Sequence, residues 1–148
     1  MSKTIKVNSL TVGIKLIVLL AVVGSLYFQL VKGFYVCSLC WWQRIFWYPQ
    51  LLVWLLPFRL KDKVQYSLVS SLLGLPVALY HYYIQMVTQS QAVISCGTAS
   101  YGLDCAVKQL DILGFITIPF LSALGYFTVI VLSLLWIRTQ ASPKPHNS

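Results

Sequence analysis

An all-α membrane protein, a four-transmembrane-helix bundle with cytoplasmic N and C termini, is the architecture this sequence specifies on three grounds. Of its 148 residues, 58% are hydrophobic and only 9% charged, against ~25% charged in an average soluble domain. A soluble fold this small has a large surface to cover, and eleven Lys and Arg, three acidic residues and two His cannot cover it. Four apolar stretches approach the ~20 residues that cross a bilayer as a helix. The cations, finally, gather on one side of those stretches. The same hydrophobicity excludes intrinsic disorder.

The first span runs over about 14–31, with Lys15 at its start placed to snorkel toward headgroups. Lys3, Lys6 and Lys15 before an apolar run also look like a signal peptide. The run is longer than a typical signal core and no small-x-small cleavage site follows it, so it is expected to stay as a helix. The second span covers about 41–56, interrupted by Gln43, Arg44 and Gln50. The third, about 64–87, and the fourth, about 112–137, contain no Asp, Glu, Lys or Arg. Pro49, Pro76 and Pro119 fall within or near these spans, which bundled membrane helices tolerate. Outer loops are expected over about 32–40 and 88–111, with a disordered tail at 141–148, and the whole chain 1–148 reads as one integral membrane domain.

Lys3, Lys6, Lys15, Arg59, Lys61, Lys63, Arg138 and Lys144 fall on one side of this arrangement, and only Lys32, Arg44 and Lys108 on the other. That asymmetry places the first side, with both termini, in the cytoplasm. The net charge of +8 is thereby a topology signal, and no basic cluster remains for nucleic acid. Trp41, Trp42, Trp47 and Tyr48 crowd the outer start of span two, Tyr80, Tyr82 and Tyr83 the outer end of span three, and Trp54 and Trp136 lie toward the inner face. Most of these fit an interfacial aromatic belt.

Cys37, Cys40, Cys96 and Cys105 all fall in the two outer loops, as one C-x-x-C and one wider pair. The outer face of a cell membrane is where disulfides persist. Structural disulfides, a four-thiolate zinc site and redox-active thiols compete as explanations. Loops this short hardly need stapling, the wider pair and an oxidising location do not suit zinc, and C-x-x-C is the usual spacing of redox-active thiols. Cys40 immediately precedes span two, so helix-terminal N–H groups and the macrodipole favour its thiolate. Arg44 lies one turn deeper on the same face. An arginine there either snorkels to lipid phosphate or has a function, namely to stabilise the Cys40 thiolate and negative charge developing on an electron acceptor. Gln43 offers a hydrogen bond from a neighbouring face. His81, the one ionisable side chain of His, acidic or basic type in spans three and four, lies ~9 Å from the outer end of span three. It either bonds a neighbouring helix or shares a ligand pocket with Arg44.

The run Cys37-Ser-Leu-Cys40-Trp41-Trp42-Gln43-Arg44, an aromatic-rich second span and a later outer cysteine pair resemble the DsbB family of disulfide bond formation proteins. The short length and short second outer loop are most similar to its Gram-positive BdbB/BdbC branch. The resemblance implies a bacterial cell-membrane enzyme, a protein dithiol:quinone oxidoreductase that needs no metal. Cys37–Cys40 would be the quinone-coupled disulfide, and Cys96–Cys105 the loop pair that meets an exported thioredoxin-like, DsbA-like oxidase. Arg44 would contact the quinone, menaquinone or ubiquinone; Gln43 and His81 are further candidates for that contact from their positions in the sequence, His81 having no firm counterpart in the family. Cys96 and Cys105 stand closer together than in proteobacterial members. A non-catalytic four-span protein with loop-bracing disulfides is the rival from another class. A vitamin K epoxide reductase-like enzyme would carry its C-x-x-C in the last helix, where this chain has no cysteine. A small transporter lacks an acidic residue in spans three and four to work with.

Overall fold

A computed structural model describes residues 2–33, 36–88 and 117–141. These form four α-helices and no strand: α1 (Ser2–Leu30), α2 (Ser38–Leu55), α3 (Leu60–Thr88) and α4 (Ile118–Ala141). Val7–Leu30, Leu60–Val87 and Ile118–Gln140 are each long and apolar enough to cross a membrane. The 18-residue α2 is about 27 Å long at 1.5 Å per residue, and Gln43, Arg44, Pro49 and Gln50 break its apolar run.

The helices reach beyond the expected spans, because hydropathy marks an apolar run and not the turns that continue past it. α1 begins at Ser2, not near residue 14, and α4 continues to Ala141. Residues 112–116 and 142–148, part of the expected fourth span and tail, lie outside the described residues, as does nearly all of the 88–111 loop. The expected outer loop 32–40 needs correction. Residues 38–40 are already helical, with Cys37 as the N-cap of α2 and Trp41 N–H bonded to the Cys37 carbonyl at 3.1 Å. The chain leaves α1 through Gly33 at φ +65°, a conformation that carries no Cβ penalty in glycine. α2 ends at Leu56, whose extended backbone (ψ 155°) is the one that Pro57 imposes on the residue before it.

The bundle is a ring: α1 packs on α2 and α4, and α3 packs on α2 and α4. In α1, Ile14, Val18 and Val22 form a buried stripe at four-residue spacing, while Leu16, Leu20 and Val23 face outward. An apolar outer face is what a helix needs to lie against lipid. The α2–α3 seam is made of small polar residues. Trp54 Nε1 donates to Ser67 Oγ at 2.9 Å, Ser70 Oγ to the Phe46 carbonyl at 3.0 Å, and Gln50 Nε2 to Ser71 Oγ at 3.4 Å. Small side chains let membrane helices approach closely, and interhelical hydrogen bonds then hold them.

Across the diagonal, Trp47 of α2 stacks on Tyr126 of α4, with ring centroids 4.2 Å apart and planes 12° from parallel. Tyr126 Oη donates to the Gln43 carbonyl at 2.8 Å, and Trp47 Nε1 to Ser122 Oγ at 3.1 Å. Trp41, Trp42, Tyr80 and Tyr83 are exposed, as an interfacial belt requires, but Trp47, Trp54 and Trp136 are buried in the bundle. The belt reading fails for those three. For Trp47 and Trp54 the physical reason is visible in the serine partners that satisfy their indole N–H groups.

Candidate functional site

The first turn of α2 carries both cysteines of the C-x-x-C. Cys37 is the N-cap and gives no side-chain cap hydrogen bond; Cys40 sits three residues into the helix. The N–H groups of this turn have no intrahelical acceptor, so the helix end presents partial positive charge to sulfur. Cys37 is buried and Cys40 half-buried, and both are thiols. Cys37 Sγ donates to Cys40 Sγ across 3.4 Å, far longer than the ~2.05 Å of a disulfide.

The two sulfurs have different surroundings. Behind Cys37 lies His81 of α3, only 1% exposed. Its Nε2 is 3.7 Å from Cys37 Sγ, and its Nδ1 is 3.1 Å from Gln43 Nε2. Cys40 instead faces a cavity of about 320 Å³ between α1, α2 and α4. Its wall is largely apolar, with Ile17, Leu20, Phe28, Trp47 and Leu121 among the lining residues, and Gln43 and Arg44 line it too. Leu20 and Leu121 are also exposed on the outer surface of the bundle, so the cavity adjoins the lipid-facing side.

Arg44, expected one turn below Cys40, is there, and it does not snorkel. It is 8% exposed. Its Nε donates to Ser25 Oγ at 2.9 Å, one terminal nitrogen to the Ser25 carbonyl at 3.2 Å, and the other to Gln29 Oε1. The guanidinium carbon lies 5.4 Å from the centre of the Trp41 ring, a cation–π distance. Asp62, at the opposite end of the bundle in the first turn of α3, is the one carboxylate-bearing side chain among the described residues. Among the described residues, Arg44 is therefore fixed beside the cavity by neutral groups.

The structure thus brings Cys37, Cys40, Gln43, Arg44 and His81 together. Cys96 and Cys105 lie outside the described residues. Of the two readings for His81, the bond to a neighbouring helix is the one seen, at Gln43 and Cys37 beside α2. Arg44 lines the cavity and His81 does not, because α3 approaches the dithiol from the side opposite α1; Gln43 touches both regions. Sequence reasoning missed Ser25 and Gln29, the anchors of Arg44, although two polar residues at i and i+4 in an apolar span were a readable signal. It also missed Tyr126, which lies among ordinary apolar neighbours in sequence.

The ligand atoms of Cys37, Cys40 and His81 all lie within 4.8 Å of one another. They could meet one soft cation; a closed structural zinc site takes four ligands.

The model of the family described as "Disulfide bond formation protein DsbB" matches residues 8–136. The chain belongs to the DsbB family. The "Probable disulfide formation protein C" of Halalkalibacterium halodurans is 38% identical over 138 residues, covering 91% of this chain and 98% of the relative. The "Disulfide bond formation protein C" of Bacillus subtilis is 33% identical over 117 residues, 78% of this chain and 83% of the relative. The "SPbeta prophage-derived disulfide bond formation protein B" of the same organism is 35% identical over 113 residues, 75% and 74% of the two chains. No solved structure gives a significant match. Membership of the DsbB family makes this a multi-pass membrane oxidoreductase of disulfide bond formation, working with a thiol–disulfide partner protein.

Proposed function

We propose that the chain is a protein dithiol:quinone oxidoreductase of the bacterial plasma membrane. It reoxidises an exported thioredoxin-like, DsbA-like oxidase and delivers the electrons to a membrane quinone. All four helices cross the membrane as one domain, both termini are cytoplasmic, and the cysteine loops face outward. The observation that carries this reading is the position of Cys40: it lines an apolar cavity that Arg44 lines as well.

The cavity fits a quinone. Its ~320 Å³ falls at the small end of ligand sites, about 300–1,000 Å³, and its wall suits an apolar ring. Gln43 and Arg44 supply N–H donors for carbonyl oxygens. A bound quinone supplies a two-electron acceptor, matching the two electrons of a dithiol. The chain's own residues do the rest. Cys96 and Cys105 exchange with the partner through a mixed disulfide, since a thiolate attacks a disulfide sulfur in each such step. The loop pair then reduces Cys37–Cys40 by a second exchange. The α2 N-terminus and Arg44 favour a thiolate at Cys40 once the pair is reduced, and Trp47 and the aliphatic wall keep water from the cavity side. Loop bracing is a poor use of Cys37 and Cys40, because a disulfide within one helical turn ties no two segments together.

The test uses purified protein in detergent with quinone and a reduced thioredoxin-like partner, following quinone reduction by absorbance. Cys37→Ser and Cys40→Ser are each expected to abolish turnover. Unchanged turnover in either variant overturns the reading.

A further inference from the structure

The amide of Gln43 decides what His81 does. The nitrogen of that amide faces His81 Nδ1 at 3.1 Å, and an amide nitrogen only donates. Nδ1 is therefore the acceptor, which puts the ring hydrogen of the neutral imidazole on Nε2. Nε2 faces Cys37 Sγ at 3.7 Å, and Cys37 Sγ in turn donates to Cys40 Sγ at 3.4 Å. The three hydrogen bonds run in one direction, from Gln43 through His81 and Cys37 to the sulfur that faces the cavity. Gln43 is itself held in place, since Tyr126 Oη binds its main-chain carbonyl at 2.8 Å. Both Gln43 and His81 are buried, at 5% and 1% exposure, so water does not replace these bonds.

The geometry points to His81 as a catalytic hydrogen-bond donor to the Cys37 sulfur, with Gln43 as the positioning residue that selects its tautomer. This rests on the exchange chemistry proposed above and gives it a second pole. Arg44 serves Cys40 from the α1 side, and His81 serves Cys37 from the α3 side. The step that needs His81 is release of Cys37 from its mixed disulfide with the loop. The attacking loop thiolate forms the Cys96–Cys105 bond, the bond from the loop to Cys37 breaks, and the electron pair stays on Cys37 Sγ. His81 Nε2–H meets that charge, and the sulfur then takes up the proton which the attacking loop thiol released. A hydrogen bond of this kind is stronger to the charged sulfur of the departing thiolate than to a neutral one. In the reduced pair it also polarises the Cys37 S–H that donates to Cys40, a bond the disulfide lacks, so it favours the reduced pair.

The test is an equilibrium and needs neither partner nor quinone. Quinone-free protein carrying Cys96→Ser and Cys105→Ser, which leaves Cys37 and Cys40 as its two cysteines, is equilibrated against mixtures of reduced and oxidised dithiothreitol. Thiols are then trapped and counted by mass shift. His81→Leu fills similar space without a donor and is expected to move the equilibrium about tenfold toward the disulfide, ~30 mV for a two-electron couple. His81→Gln keeps a side-chain N–H and is expected to recover most of that shift. Equal shifts in the two variants, or none in His81→Leu, overturn the proposal. If His81→Leu does not fold, Gln43→Met removes the amide at nearly constant volume; it is expected to shift the equilibrium the same way, and no shift overturns the proposal. Quinone is not read in this measurement, so a failed quinone assignment and a failed His81 assignment are separately visible.

Discussion

Arg44 carries its charge into the bundle on neutral partners: Ser25, Gln29 and Trp41. None of these described partners is an anion, so none of them neutralises its charge beside the cavity. Arg44→Ala is expected to raise the KM for quinone by ten- to a hundredfold, the scale of a lost hydrogen bond to a charge of about 1.5–3 kcal/mol. Reduction of the Cys37–Cys40 disulfide by dithiothreitol should slow by less, because the α2 N-terminus still supports the Cys40 thiolate as it leaves. Steady-state quinone reduction and dithiothreitol kinetics, run side by side, check the split; equal losses in both would count against a quinone contact. Arg44→Lys should recover only part of the affinity. A lysine keeps the charge but cannot reproduce a fork that reaches Ser25 and Gln29 together. Residue types at this scale were largely legible in the sequence: C-x-x-C, and an arginine one turn deeper. What sequence could not supply was direction. Nothing in the spacing says that Cys40 faces α1 and α4 while Cys37 faces α3, and that division separates Arg44 from His81.

Two glycines show how the elements shape the site. A Cβ at Gly24 of α1 would meet nothing within 4 Å, and Gly24 lines the cavity. Gly24→Leu is therefore expected to fill cavity space without straining the helix, weakening quinone binding at least tenfold while thermal stability holds or rises. A binding titration together with a melting curve tests both halves. Gly74 of α3 is the opposite case. A Cβ there would stand 2.5 Å from Tyr126 Cζ, and Tyr126 is pinned by its stack on Trp47 and its bond to Gln43. Gly74→Ala should cost about 1–3 kcal/mol, as overpacking of a filled core does, read as earlier unfolding in a denaturant series. Helix existence was readable from apolar runs, since each must satisfy its backbone within the membrane. Helix ends were not, because α2 starts at its N-cap Cys37 and not where hydropathy rises. The seam of Ser67, Ser70, Ser71 and Gly74 on α3 was also in the sequence. It is a small-residue stripe at helical spacing that a count of charges alone passes over.

At the scale of the whole molecule, the ring of four helices sets the dithiol at one end of the bundle, with a different neighbour on each of two faces. α1 and α4 enclose the cavity beside Cys40, and α3 closes the other face with His81. In the proposed topology, electrons from an exported protein arrive at that end of the bundle, where the sequence puts the segment with Cys96 and Cys105 between α3 and α4. This separation predicts that the two half-reactions come apart. Cys96→Ser should abolish quinone reduction when the donor is a reduced thioredoxin-like protein, which is too large to reach a sulfur as buried as Cys37. With dithiothreitol as donor, the same variant should keep most of its quinone reduction, because a small thiol reaches the Cys37–Cys40 disulfide directly. Both rates are measured on one preparation with one quinone, so loss of folding would remove both together. Loss of the dithiothreitol reaction in a folded Cys96→Ser protein would mean that the loop pair takes part in the chemistry at the cavity, and the proposed order of exchange would fall.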